Sequence, residues 1–268
     1  MLPKLEISQE ERTAGGPTPE TVRKGAAALR LHGCLLLPEI FTREFIAELR
    51  DLHFARNAAL LQAQRPDNSG EVGNRRFQSP LAISGAFSTP NLYANPFALP
   101  ILRAVLGEEM ILGGCGTVTS LPGARDQHVH RDGPPLFNRA INRIQPAHAV
   151  DFFVPLIDFN ASTGTTRLFP GTHLDTEADP AKSPSVEPAI PAGSCLLMDY
   201  RLYHQGLANH SELVRPLLYF YYHPPWFKDY ENHATLPFFQ LSDANYAGIP
   251  EEHRRLFAWI EHYRSGLY

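Results

Sequence analysis

The chain has 268 residues, 43% hydrophobic and 19% charged, which is enough for a sizeable buried core and excludes a disordered chain. Its 24 basic and 28 acidic side chains leave a net charge of −4, which excludes the basic footprint of a nucleic-acid binder or of a protein held on an anionic membrane. The three cysteines, at 34, 115 and 195, are odd in number and lack metal spacing; a disulfide framework or zinc ribbon is excluded, and a reducing, cytoplasmic setting is expected.

Residues 1–20 are polar, with Gly15-Gly16-Pro17, and predict a flexible N-terminal arm; five charges by position 12 argue against a signal peptide. No apolar run approaches the ~20 residues of a bilayer span. A single domain is expected over 21–268, with helical support over about 21–107, a β core over about 108–225 and a C-terminal helical cover over about 226–268. ETVRKGAAALRL predicts a helix, HGCLLLPEIF a short buried strand, and TREFIAELRDLHFARNAALLQAQ a second helix capped by Thr42. Loop with short extended pieces follows over 65–95, then a helix, FALPILRAVLG, closed by Gly107.

From 108 the pattern changes to short β-branched or aromatic runs bounded by Gly, Pro, Asn and Asp: MILGGCGTVTSL, DQHVHRD, HAVDFFVPLIDF, GTTRLFPGTH, GSCLLMDYRLYHQG and VRPLLYFYYH. Helices followed by six to eight strands predict an α+β fold with a double-stranded β-helix (jelly-roll, cupin-like) core and flanking N-terminal helices. PEEHRRLFAWIEHYR predicts a short helix near the end.

The chemistry concentrates in Gln127-His128-Val129-His130-Arg131-Asp132. On an extended segment residues i and i+2 share a face, so His130 and Asp132 can converge on a metal ion while Arg131 points away. Two histidines compete for the third place, His173 and His204. His204 ends the apolar run from Cys195 to Tyr203, and a tight turn over 207–213 would set Arg215, eleven residues on, beside it on the neighbouring strand. His173 has no such companion, because Pro184 stands at that offset. Two histidines and a carboxylate with open positions are the pattern of non-haem Fe(II) oxygenases, and a nearby arginine fork can hold the far carboxylate of a dicarboxylic acid.

QHVHRDG, LFPGTH and GSCLLMDYRLYHQGLANHSELVR, in that order and spacing, resemble the phytanoyl-CoA dioxygenase family of Fe(II)/2-oxoglutarate enzymes. LRLHGCLLLPEIFTREFIAELRD and NPFALPILRAVLGEEM resemble its N-terminal elements, so the resemblance covers about 25–225. It implies that His130, Asp132 and His204 ligate iron, that Arg215 binds 2-oxoglutarate, and that Gln127 and Thr165 or Thr166 line the co-substrate site. O2 is the further co-substrate. Many members carry Ser or Thr two residues after the distal histidine, where this chain has Gly206. Related halogenating enzymes lack the carboxylate that Asp132 retains, so a hydroxylase-type reaction is implied rather than halogenation.

His128 is a candidate pocket residue, as are Arg75 and, in the long 133–149 loop, Phe137, Asn138 and Arg139. Arg75-Arg76, the 219–222 aromatic run and His173 read otherwise as solvated loop, sheet core and structural histidine. The partner expected is a fairly apolar small molecule of natural-product type, with no nucleic acid and no membrane. Two other functions fit a barrel of this kind: a metal-dependent cupin-type hydrolase or isomerase, and a non-catalytic barrel that binds a small ligand.

Overall fold

A computed structural model describes residues 2–63, 70–229, 232 and 240–258. The last part of the expected C-terminal helix, from 259, lies outside the described residues, as does much of the cover between 230 and 239.

The chain begins with α1 (Gln9–Ala14), which Ser8 and Glu11 close with a reciprocal capping box. In α2 (Pro19–His32), Thr18 caps the start, Pro19 takes the first turn, and Gly33 ends the helix at φ +74°. A Cβ at Gly33 would lie 2.6 Å from His173 Nδ1, so this position requires glycine for space as well as for backbone. β1 (Cys34–Leu37) follows, entirely buried. The expected loose arm is instead docked on β1: Leu5 N donates to Leu36 O, Leu36 N donates to Pro3 O, and Leu2 and Ile7 are buried. Two apolar side chains among polar neighbours suffice, because backbone pairing supplies the register.

The predicted second helix is two, α3 (Arg43–Arg56) and α4 (Ala58–Ala63), broken at Asn57, whose side chain turns back to His53 O at 2.8 Å. Then come β2 (Gly70–Glu71), β3 (Arg76–Pro80), α5 (Pro90–Tyr93) and α6 (Leu99–Leu106), the last closed by Gly107 as expected. The later elements are β4 (Ile111–Ser120), α7 (Arg139–Asn142), β5 (Val150–Pro155), β6 (Thr166–Leu168), β7 (Cys195–Asp199), β8 (His204–Gly206), β9 (Arg215–His223), α8 (Asp243–Ala247) and α9 (Glu251–Arg254).

Seven strands form one antiparallel sheet in the order β1-β7-β5-β9-β4-β3-β2, and β6 pairs with β8 in a small opposing sheet. Bridges at His130↔His204, Leu168↔Val186 and Phe159↔Ile190 extend the small sheet. This is the predicted double-stranded β-helix with helices on one side. The period of two divides the large sheet. Phe152, Leu218, Phe220 and Tyr222 face the helices in the main core, while Asp151, Phe153, Arg215, Leu217 and Tyr219 face the small sheet.

GSCLLMDYRLYHQG differs from its expectation. It is not one strand ending at His204; β7 stops at Asp199 and β8 begins at His204, in the other sheet. Asp199 accepts from Arg201 N, Nε and Nη2, a buried fork that folds the chain over between the sheets.

His53, His148 and His223 are buried, and burial pushes each imidazole down to about 4. The folded state therefore holds them neutral, whereas an unfolded histidine takes up a proton near 6.5. Stability from these groups is fully present above pH 6.5 and is lost as pH falls towards 4. Each is expected to cost at most about 2 kcal/mol at pH 5. Thermal melts at pH 7.5 and pH 5 check this; an unchanged Tm would show that these histidines take up protons alike in the folded and unfolded states.

Candidate metal centre

His130, Asp132 and His204 come together although the first and last lie 74 positions apart in sequence. The antiparallel bridge between His130 and His204, with N–O distances of 3.0 and 2.9 Å, sets the two imidazoles side by side at 4.3 Å between ring centres. Asp132 Oδ1 lies 3.7 Å from His130 Nε2, and Oδ2 lies 3.5 Å from His204 Nε2. One ligand atom from each lies within 4.8 Å of the others.

The tautomers follow from the backbone. His130 Nδ1 is 2.9 Å from His128 O, and His204 Nδ1 is 3.1 Å from Leu202 O. A carbonyl only accepts, so each Nδ1 carries the proton and each Nε2 keeps its lone pair towards Asp132. Burial, and then the adjacent His204, push His130 below its ordinary value and keep it a neutral ligand. Two imidazole nitrogens and one carboxylate, the cluster found among the described residues, suit a divalent transition metal.

The triad opens on a cavity of about 560 Å³ between the sheets. At one end stands Arg215, buried, donating to Thr163 O, Leu207 O and Ser120 Oγ. It reaches the site across the barrel, not on a strand beside His204 as predicted: β8 belongs to the small sheet and β9 to the large. Arg76 lies behind it, fully buried, with Nε 2.7 Å from the same Ser120 Oγ. Burial lowers both guanidinium groups, Arg215 to about 9 and Arg76 to about 10, and each remains cationic at neutral pH. Among the described residues neither has a carboxylate within ion-pair distance. Asp126 acts on Arg76 from beyond ion-pair distance, and two adjacent buried cations fit the carboxylate of a ligand.

Gln127 lines the cavity; its Nε2 donates to Val72 O and its Oε1 accepts from Gly206 N. This explains the missing hydroxyl at 206. A Cβ there would collide with Gln127 Oε1 and lie 2.9 Å from Arg76 Nη1, so the space a serine would take is filled by Gln127 and Arg76. A Gly206→Ser variant is expected to lose about 1–3 kcal/mol through this overpacking, read as a lower Tm. Adding Gln127→Ala should restore part of that loss.

Of the two threonines, Thr166 lines the cavity, whereas Thr165 faces the other way and donates to Pro188 O. Strand alternation decides between them. His128 lines the cavity at its exposed rim, with its ring 5.1 Å from that of His130. The other expected substrate residues do not line it. Arg75 donates to Pro122 O on the outside, at φ +53°, and the buried neighbour is Arg76. Phe137 is exposed, Asn138 caps α7, and Arg139 pairs with Asp175 and Glu177. Asn142, buried and donating to His173 O, pins this segment outside the barrel. His173 is structural, with Nε2 3.0 Å from Arg30 O.

Two residues escaped the sequence reading. Arg76 looked like half of a solvated pair, with no local signal of burial. Asp151 is a single charge inside the apolar run HAVDFFVPL, and that break in the run was the available signal. Burial, and then Asp132, push the Asp151 carboxyl well above its ordinary range.

A double-stranded β-helix carrying two histidines and a carboxylate on a cavity defines the class of non-haem iron oxygenases. The family model Phytanoyl-CoA dioxygenase (PhyH) matches residues 32–217, and the chain belongs to that family. Its cofactors are Fe(II) and 2-oxoglutarate, with O2 as co-substrate. The chain is 28% identical over 227 residues to Dioxygenase trt7 of Aspergillus terreus, covering 80% of this chain and 78% of that protein. It is 29% identical over 153 residues to Dioxygenase cdmA of Talaromyces verruculosus, 55% of this chain and 51% of that one. In structure it is similar to the non-heme alpha ketoglutarate dependent epimerase SnoN from nogalamycin biosynthesis (TM-score 0.59, 21% identity, 77% of this chain and 82% of that chain). It is also similar to AviO1 from Streptomyces viridochromogenes Tue57 (TM-score 0.61, 17% identity, 78% and 97%). No helix among the described residues is long and apolar enough to cross a membrane.

Proposed function

We propose that this oxygenase hydroxylates a small, fairly apolar metabolite in natural-product biosynthesis, or desaturates or cyclises it by the same hydrogen abstraction. The carrying observation is the convergence of His130, Asp132 and His204 within 4.8 Å on a cavity that also receives the unpaired Arg215. The three would hold Fe(II), and Arg215, backed by Arg76 and Thr166, would hold the far carboxylate of 2-oxoglutarate. Those cofactors supply the oxidant that removes a hydrogen atom from the substrate.

The protein's own part is positional. The carbonyls of His128 and Leu202 fix the two imidazoles by their Nδ1 protons. Ser120 Oγ holds both guanidinium groups in one orientation. Phe153, Leu217 and Val118 give the cavity an apolar wall that excludes water beside the metal. Asp132 would supply the carboxylate to the metal and so leave no place for a halide there. The relative from nogalamycin biosynthesis supports the natural-product assignment.

Anaerobic protein given Fe(II) and 2-oxoglutarate is expected to develop a weak visible metal-to-ligand charge-transfer band. A folded protein that shows no band would overturn the assignment. Succinate release against candidate substrates then addresses their identity.

A further inference from the structure

Asp151 stands on β5 facing the cavity, two residues from Phe153 on the same face. It is 3% exposed, and its Oδ2 receives no hydrogen bond. Asp132, Asp229 and Asp199 all act on it with a charge of its own sign. A buried carboxyl oxygen without a donor is rare in a folded protein and calls for a specific explanation. The co-substrate arrangement does not use it: the guanidinium groups gather around Ser120, and Ser120 pairs with Arg215 at the start of β9, whereas Asp151 pairs with Tyr221, six residues further along. Its carboxyl group hydrogen-bonds the side chain of Asp132, which places it beside the metal ligands and leaves Oδ2 as the atom without a partner. On its own face of the cavity Phe153 and Leu217 are apolar, and the Tyr219 hydroxyl accepts from Gln78 Nε2 at 2.7 Å.

We propose that Asp151 is a specificity-determining residue, the acceptor for a hydroxyl or ammonium group on an otherwise apolar substrate. Anchoring that donor beside Asp132 selects which substrate carbon lies over the metal. The inference rests on the oxygenase reading only for the word substrate. It does not depend on the charge of Asp151, because a carboxyl group keeps an acceptor oxygen whether or not it is protonated.

The test uses the full chain with Mn(II) and 2-oxoglutarate, and three probes of one shape: cyclohexanol, cyclohexylammonium and methoxycyclohexane. Water-proton relaxation reports whether Mn(II) is bound. Relaxation of the probe protons by Mn(II) reports probe binding beside it. If Mn(II) fails to bind, the metal assignment fails on its own, and the probes are titrated by saturation-transfer NMR against the metal-free protein. Wild type is expected to bind the two donor probes about tenfold more tightly than the ether. Asp151→Asn keeps an acceptor oxygen and should keep the preference for both donor probes over the ether. Asp151→Leu should lose both. Equal binding of alcohol, amine and ether to wild type, including no binding of any, overturns the proposal, as does a donor preference that survives in folded Asp151→Leu. Should the leucine variant not fold, wild type and Asp151→Asn decide.

Discussion

A His204→Ala protein is expected to bind Fe(II) or Mn(II) more than about 100-fold more weakly than wild type and to consume no 2-oxoglutarate. Altering only the groups that orient a metal ligand typically costs about 10–100-fold in affinity, and removing a ligand should exceed that. Asp132→Asn should fall nearly as far, because the amide brings no charge to the two imidazoles. The informative control is His173→Ala. His173 competed with His204 in the sequence, but its Nε2 lies on Arg30 O and it packs against Gly33. Its loss should lower Tm and leave metal affinity unchanged. Metal affinity is read by equilibrium titration under anaerobic conditions. A His204→Ala protein with unimpaired metal binding would remove the proposed centre.

The second large effect concerns the two buried arginines. Arg215→Leu is expected to raise the 2-oxoglutarate requirement by about 100-fold or more, since losing one side of a buried hydrogen-bonded charge pair costs roughly 2–5 kcal/mol. Arg215→Lys should recover little, because a point charge cannot replace the planar fork. Arg76→Leu should cost less, about tenfold, because Arg76 acts from behind through Ser120. The pH dependence carries a definite sign. Both groups are bases lowered from 12.5, to about 9 and about 10, so in the free protein they are charged below 9 and lose charge above it. Co-substrate affinity should therefore be flat to about pH 8 and fall beyond 9. Titrations of 2-oxoglutarate monitored by the visible band check both expectations. Full activity in Arg215→Leu would favour the metal-dependent hydrolase or isomerase, which needs no such cation.

Legibility differed sharply between the local and the remote parts of the site. His130 and Asp132 were readable because an i, i+2 pair on extended chain shares a face whatever lies around it. Arg215 was readable as a partner of His204, but for the wrong geometric reason. The turn at Asp199–Arg201 moves His204 into the small sheet, so the two residues face each other across the barrel. Thr165 and Thr166 could not be separated, because the phase of a three-residue strand is set by its pairing partner and not by its own composition.

The surface residues mark the other boundary. Phe137, Asn138 and Arg139 were chosen for their nearness in sequence to Asp132, yet Asn142 holds their helix outside the barrel. Arg75 and Arg76 are adjacent and chemically identical. One reaches Pro122 on the outside while the other reaches Ser120 inside, because Arg75 lies in the turn before β3 at φ +53° whereas Arg76 opens the strand.

The amino-acid sequence by itself determined the fold class, the metal-binding pair, the third histidine and the family. These rest on side-chain chemistry and short-range periodicity, which survive without coordinates. Tertiary structure alone decided the pairing of Arg76 with Arg215, the need for glycine at 206 and the burial of Asp151 without a donor. Each of these depends on which strands meet across the sheet, and that register is a property of the closed barrel rather than of any segment within it.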